Sequence, residues 1–278
     1  DGNSLYVLLG GVRSVRRIDL ATWAAGQEVR VGTTAFDGPL QGIDITVSPS
    51  DPNVIAVSRL SAVTSSPKGV AVFDNGVQRP NTGGTSGSIT FTSSDTAIFG
   101  IDFNGGYLQP MVVGPGGIVS AGNGTTGVVG RLAFVNGSVY VGDGSILDGN
   151  GSRVATLDLG SSQYVTYPFV VDAPNHRAFY VSASNNALTV RSYDTDTYVL
   201  NGSITFPGIS SNPIDVVRFD TNGLAISTSD GPTYFIRSDL VGPGTIGSPA
   251  PSPTPTPSQN WQTFIQPVAI PVNDVQPN

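Results

Sequence analysis

The side chains able to do chemistry in this chain are few and scattered. There is one histidine, His176, in the run Pro174-Asn175-His176-Arg177, and there is no cysteine. A zinc site needs three or four His, Cys or carboxylate ligands held together, and one imidazole cannot supply the usual set. A Ser/His/Asp triad would have to centre on His176, and serine is too common here to mark a nucleophile. The favoured reading of His176 is a surface turn residue. Glycosidic chemistry needs two carboxyls flanking one bond. The candidate pairs are Asp194 with Asp196 and Asp37 with Asp44, beside a single glutamate, Glu28. Asp194-Thr195-Asp196 ends a strand, where aspartates bond their own backbone, so turn chemistry is the favoured role. Asp148-Gly149-Asn150-Gly151-Ser152 alternates oxygen ligands as a calcium loop does, but lacks the distal bidentate Glu. Gly10-Gly11 and the glycines of 114–117 are followed by neither a Lys nor a helix, so they are not phosphate loops. Trp261 and Phe264 could form a sugar platform, although their place in a terminal apolar segment favours burial. Trp23, between Thr22 and Ala24, is an unassigned exposed aromatic in a loop or a blade-edge filler. The expectation is a chain without catalytic residues, bound cofactor or metal, and not an enzyme.

The elements around these residues are β-rich. Among 278 residues there are 35 Gly and 21 Pro, and only 12% are charged. That is the profile of many short strands joined by tight turns. The formal charge is -7 with 13 Lys+Arg and no basic run, which argues against nucleic acid and anionic membranes as partners. No stretch reaches the roughly 18 apolar residues of a spanning helix. Four sequons, at Asn123, Asn136, Asn150 and Asn201, are candidate N-glycosylation sites if the protein is exported. The start at Asp1, almost inside a strand, suits an exported chain trimmed of its signal. The expected location is extracellular or at the cell surface.

A repeat recurs six times, at a mean spacing of about 41 residues. Each copy has an apolar strand, a short turn with Asp, Asn or Gly, a second apolar strand, and a third that often ends in Asp. Copies start at Asn3, Gly42, Ala97, Val129, Tyr167 and Ile214. Turns such as Asp51-Pro52-Asn53, Ala173-Pro174-Asn175, Asn136-Gly137 and Thr221-Asn222-Gly223 favour reversal. This spacing predicts an all-β fold, a β-propeller of about six blades, with seven as the alternative count.

LYV…IDLAT in the first copy and HRAFYVS…LTVRSYDTDT in the fifth resemble the repeats of secreted β-propellers of the YVTN/YncE-like group. The likeness covers about residues 1–240. The "YVTN" signature itself is approximated by Tyr6-Val7-Leu8-Leu9 and Tyr180-Val181-Ser182-Ala183. The resemblance implies a propeller fold and a secreted or periplasmic setting.

The ends of the array are uneven. The first copy begins at what is the second strand of later copies, and the last lacks a fourth strand. The chain then enters a Pro/Ser/Thr-rich linker, 248–258, and a terminal segment, 259–278, that reads as one detached strand. Phe264, Val268, Ile270 and Val272 share one face of it, and Trp261 and Ile265 lie on the other. Pro267 and Pro271 remove two amide donors from the same edge, so such a strand can pair along its other edge only. The linker can span roughly 34 Å when extended, far more than the few residues a turn to a neighbouring blade needs. The expected organisation is therefore a propeller at 1–247, the linker, and a donor strand at 259–278. The expected role is an extracellular structural subunit whose strand completes a sheet of the next copy, in a head-to-tail homopolymer. Its interface residues would be Trp261, Phe264, Ile265, Val268, Ile270 and Val272, with Pro267 and Pro271 blocking the outer edge. This assembly logic resembles that of filament subunits joined by donor-strand complementation. The alternatives are a surface adhesin or sugar-binding propeller, with surface glycans as partners, and then a secreted propeller hydrolase or lyase.

Overall fold

The computed structural model describes residues 3–103, 106–160 and 165–242. The linker and the terminal segment, with Trp261, Phe264, Ile265, Pro267, Val268, Ile270, Pro271 and Val272, lie outside the described residues. Those described form β-strands and one 3-10 turn, Ala173–Asn175, with no α-helix among them.

The strands make six antiparallel sheets, each with its strands side by side in chain order. The first holds β1 (Ser4–Leu9), β2 (Ser14–Asp19) and β3 (Ala25–Arg30). The second holds β4 (Thr33–Thr34), β5 (Gly38–Val47), β6 (Val54–Ser61), β7 (Pro67–Asp74) and β8 (Val77–Gln78). The third holds β9 (Ser86–Phe91), β10 (Ala97–Asp102), β11 (Leu108–Gly114) and β12 (Gly117–Ala121). The fourth holds β13 (Leu132–Val135), β14 (Ser138–Val141), β15 (Ser145–Asp148) and β16 (Arg153–Thr156). The fifth holds β17 (Phe169–Asp172), β18 (Arg177–Ser184), β19 (Ala187–Asp194) and β20 (Leu200–Pro207). The sixth holds β21 (Pro213–Phe219), β22 (Gly223–Thr228) and β23 (Thr233–Arg237). These are the six expected blades. One start differs: the third blade opens at Ser86 rather than Ala97, because the sequence of β9, Ser-Gly-Ser-Ile-Thr-Phe, is too polar at its head to read as an apolar strand.

By compactness the strands fall into two units, Asp1–Thr166 with four blades and Tyr167–Asn278 with two. Within each, consecutive sheets pack face to face. β6 shows how: Val54 and Ala56 point into a core shared with β9 to β12, while Ile55 and Val57 point into one shared with β1 to β3. A strand buried on both faces reads as a continuous apolar run, and side chains alternate between the two faces. In the second unit Phe179, Val181, Leu188 and Val190 meet Val216, Leu224, Ile226 and Ile236. Burial on this scale contributes about 25 cal/mol per Å² of apolar surface removed from water.

Turns set the register. Asn75-Gly76, Asn136-Gly137 and Asn185-Asn186 each place two successive residues at positive φ. Type I′ hairpins need that backbone, and Asn and Gly tolerate it. In the second unit a buried ion pair joins the two blades: Arg218 Nη2 meets Asp172 Oδ2 at 2.9 Å. The same guanidinium donates to the carbonyls of Val241 and Thr221 and lies 5.7 Å from the Phe179 ring centroid.

Candidate functional site

The first blade has three strands among the described residues, and the turn between β2 and β3 says which position has none. The Asp19 carboxylate accepts the amide and hydroxyl of Thr22, both at 2.8 Å, and Trp23 follows at φ 57°. The Asp194 carboxylate accepts the amide and hydroxyl of Thr197, both at 2.8 Å, and Tyr198 follows at φ 60°. The turns are equivalent, so β2 and β3 correspond to β19 and β20. Pairing agrees, because β1, β6, β14 and β18 each begin opposite an aspartate (Ser4 with Asp19, Val54 with Asp74, Ser138 with Asp148 and Arg177 with Asp194), and the last three each follow an inner strand, β5, β13 and β17. Hence β1 is a second strand, and the position filled by β17 in the fifth blade has no strand among the described residues.

β1 shows the consequence. In β18, residues Ala178, Phe179, Tyr180 and Val181 are each no more than 2% exposed. β1 is Ser-Leu-Tyr-Val-Leu-Leu, equally apolar, yet none of its residues is fully buried and Leu5 is 44% exposed. Tyr6 and Leu8 pack against the core shared with the second blade. The Tyr6 hydroxyl donates to the Pro52 carbonyl at 2.7 Å, and the Arg17 guanidinium sits 5.7 Å from its ring centroid. Burial pushes the Tyr6 phenol above its usual pKa, partly offset by Arg17.

Backbone parity defines the open edge. The Leu20 amide donates to Asn3 C=O, which places Leu5, Val7 and Leu9 in the hydrogen-bonded pairs with β2. Ser4, Tyr6 and Leu8 therefore present their N–H and C=O groups to the edge with no neighbouring strand. Beside that edge is a shallow concavity of about 390 Å³ lined by Ser4, Tyr6, Val47, Ser48, Pro49, Ser50 and Pro52. Next to it the Asp95 carboxylate accepts the hydroxyls of Ser48 and Ser50. These bonds, Ser48 first, hold the Asp95 pKa below the ordinary carboxylate range.

The residues singled out for chemistry serve local structure. His176 sits in the turn before β18 at φ 52°, and its Nδ1 pairs with exposed Asp196 at 2.9 Å. Burial works against ionisation of Asp194, but bonds from Thr197 and Asp196 and the nearby His176 outweigh it and lower its pKa. Asp194 and Asp196 thus face different partners. Asp37 pairs with Lys68 at 2.7 Å, whereas Asp44 engages Ser88 and Ile89, so these two also do not act together. Glu28 pairs with Arg16 on the surface. Asp148 Oδ1 accepts the amides of Asn150 and Ser152, which closes the loop as a turn. Among the described residues no three His, Asp or Glu side chains converge as metal ligands. Trp23 is 74% exposed. Asn123, Asn136, Asn150 and Asn201 are all exposed.

One inner feature was not legible in the sequence. Burial raises the Asp44 pKa, against the bonds that its carboxylate accepts from Ile89, Ile45 and Ser88 and the pull of Arg131. The Ser88 hydroxyl in turn accepts the Leu132 amide at 3.1 Å. The Phe91 amide donates to the Thr46 hydroxyl at 3.2 Å. Each inner strand of the first unit thus reaches the next through a side chain.

No family model matches this chain, and no curated protein matches it. Solved structures do. One, described as KlHsv2 with loop 6CD replaced by a Gly-Ser linker, aligns with a TM-score of 0.57 over 87% of this chain and 75% of that one, at 13% identity. At that identity the likeness is one of fold, and with the six sheets it defines the class: a six-bladed β-propeller.

Proposed function

We propose that this propeller is an extracellular structural subunit and that residues 259–278 complete an incomplete blade of a neighbouring copy, building a head-to-tail filament. The observation that carries this reading is β1, whose sequence suits a buried central strand, whose Leu5 is exposed, and whose second edge pairs with no strand among the described residues. An exposed apolar edge is a hazard in a lone molecule unless something is meant to cover it. The chain supplies a suitable cover, an apolar segment with two prolines behind a linker of 11 residues, 248–258. Strand addition takes affinity from backbone hydrogen bonds and specificity from alternate side-chain pockets. A contact of donor to different acceptor is heterologous, and unless its rotation closes a ring it propagates as an open filament. Four exposed sequons suit an exported protein.

The test compares residues 1–247 with 1–278 by electron microscopy and light scattering. The full chain should polymerise with concentration and the truncated one should stay monomeric. A synthetic 259–278 peptide should raise the melting temperature of the truncated body. Equal assembly of the two chains would falsify the reading.

A further inference from the structure

The filament reading leaves open which edge receives the strand. Two edges are candidates: that of β1, and that of β23, where the sixth blade lacks a fourth strand among the described residues. We infer that the acceptor is the inner edge of the first blade, with residues 266–272 lying antiparallel to β1 in the place that β17 occupies beside β18. This rests on the strand-donation reading above.

Three observations favour β1. First, inner and outer strands differ in composition. The outer strands β3 (Ala-Gly-Gln-Glu-Val-Arg), β16 (Arg-Val-Ala-Thr) and β20 (Leu-Asn-Gly-Ser-Ile-Thr-Phe-Pro) are mostly exposed and polar. The inner strands of the second unit follow or start at a proline and carry apolar residues, as in Pro168-Phe169-Val170-Val171 and Pro213-Ile214-Asp215-Val216. Pro267-Val268-Ala269-Ile270 is of the inner kind, with no charge before Asp274.

Second, the segment repeats the spacing that leads from an inner strand into a second strand. Ile45 and Val47 are followed, after four residues, by Pro52-Asn53 and then β6. Ile270 and Val272 are followed, after four residues, by Pro277-Asn278. Pro174-Asn175 stands likewise just ahead of β18.

Third, the prolines allow only one parity of the segment to face an edge strand, and β1 can take it. Ser4, Tyr6 and Leu8 carry the open backbone groups. Val268, Ile270 and Val272 keep their amides, whereas Pro267 and Pro271 have none. Pairing Val272 with Ser4, Ile270 with Tyr6 and Val268 with Leu8 satisfies every donor. It turns both prolines away from β1, where an inner strand has no further partner. In the second blade Thr46, the counterpart of Pro271 in the spacing above, opposes Ala56 in a hydrogen-bonded pair. The donated strand therefore sits one residue out of step with β5.

In this register Ala269 faces Val7 in a non-hydrogen-bonded pair, where Cα atoms approach to about 4.5 Å, within disulfide range. The chain has no cysteine, so engineered thiols report without background. Two full-length variants, Val7→Cys and Ala269→Cys, are mixed and mildly oxidised. A disulfide between the two chains is expected. Phe235→Cys on β23, mixed with Ala269→Cys, should give little. Cross-linking at β23 in place of β1 overturns the acceptor assignment and leaves strand donation standing. Cross-linking only within a single chain carrying both Val7→Cys and Ala269→Cys, and not in the mixture, keeps β1 as acceptor but overturns donation between copies. No cross-link in any combination overturns the inference.

Discussion

β1 and β18 hold the same place in their blades, begin opposite an equivalent aspartate, and have similar apolar sequences. One is buried to within 2% along its centre, and the other is open. The difference is not in the strands themselves. It lies in the neighbour, since β17 pairs with one edge of β18 and no strand among the described residues pairs with the second edge of β1. Burial of a strand in this fold is a property of the pair, and an apolar sequence predicts only what the strand tolerates.

The largest expected effect tests that difference directly. Phe179 and Tyr6 occupy equivalent positions. Phe179→Ala should cost about 3–5 kcal/mol, as full truncation of a buried aromatic does. Tyr6→Ala in the unassembled body should cost about 1–2 kcal/mol, because only part of its area and one hydrogen bond are lost. Urea unfolding measures both, and equal costs would mean that β1 is not open. Next comes the charge contrast. Arg218→Met removes the cation facing buried Asp172, leaving it only the Asn175 amide among its described side-chain partners, and should cost about 3 kcal/mol. Arg16→Met breaks the exposed pair with Glu28 and should cost no more than about 0.5 kcal/mol. A smaller effect is expected with pH. Asp44 is raised, so its contribution is present when protonated and lost as pH rises through its shifted value. Asp194 and Asp95 are lowered, so theirs are present above the ordinary carboxylate pKa and lost as pH falls. Asp44→Asn removes the opposing contribution, and melting temperature should then fall more steeply below about pH 4. The smallest effect probes the shared turn: Trp23→Asn and Tyr198→Asn each relieve a bulky residue at positive φ and should stabilise by about 0.5 kcal/mol. Unequal outcomes would show that the two turns are not equivalent after all.

The blade count, the strand turns and the strand position left empty among the described residues of the first blade could all be read from residues. Asn-Gly pairs and strand-ending aspartates are chemically specific, and they recur. The start of the third blade could not, because Ser86, Gly87 and Ser88 look like loop until β10 pairs with them. The vacancy was legible, yet Leu5, Tyr6 and Leu8 as its lining were not, since nothing local in an apolar hexapeptide marks it as an edge. The Asp44 contacts were likewise invisible. They join residues 44 to 45 positions apart, Asp44 to Ser88 and Ile89 and Ser88 to Leu132, and only the fold brings them together.

Those side-chain contacts bear on self-association of another kind. An inner strand has one paired edge, and its other amides would ordinarily stand ready for any foreign strand. In β9 and β13 these amides are already engaged: Ile89 by Asp44, Phe91 by Thr46, and Leu132 by Ser88, each from the preceding blade. A stray strand arriving there finds few donors on offer and must displace a hydroxyl or a carboxylate to gain any. β9 and β13 are thereby guarded against amyloid-like stacking by short polar side chains, whereas no such side chain reaches the second edge of β1 among the described residues.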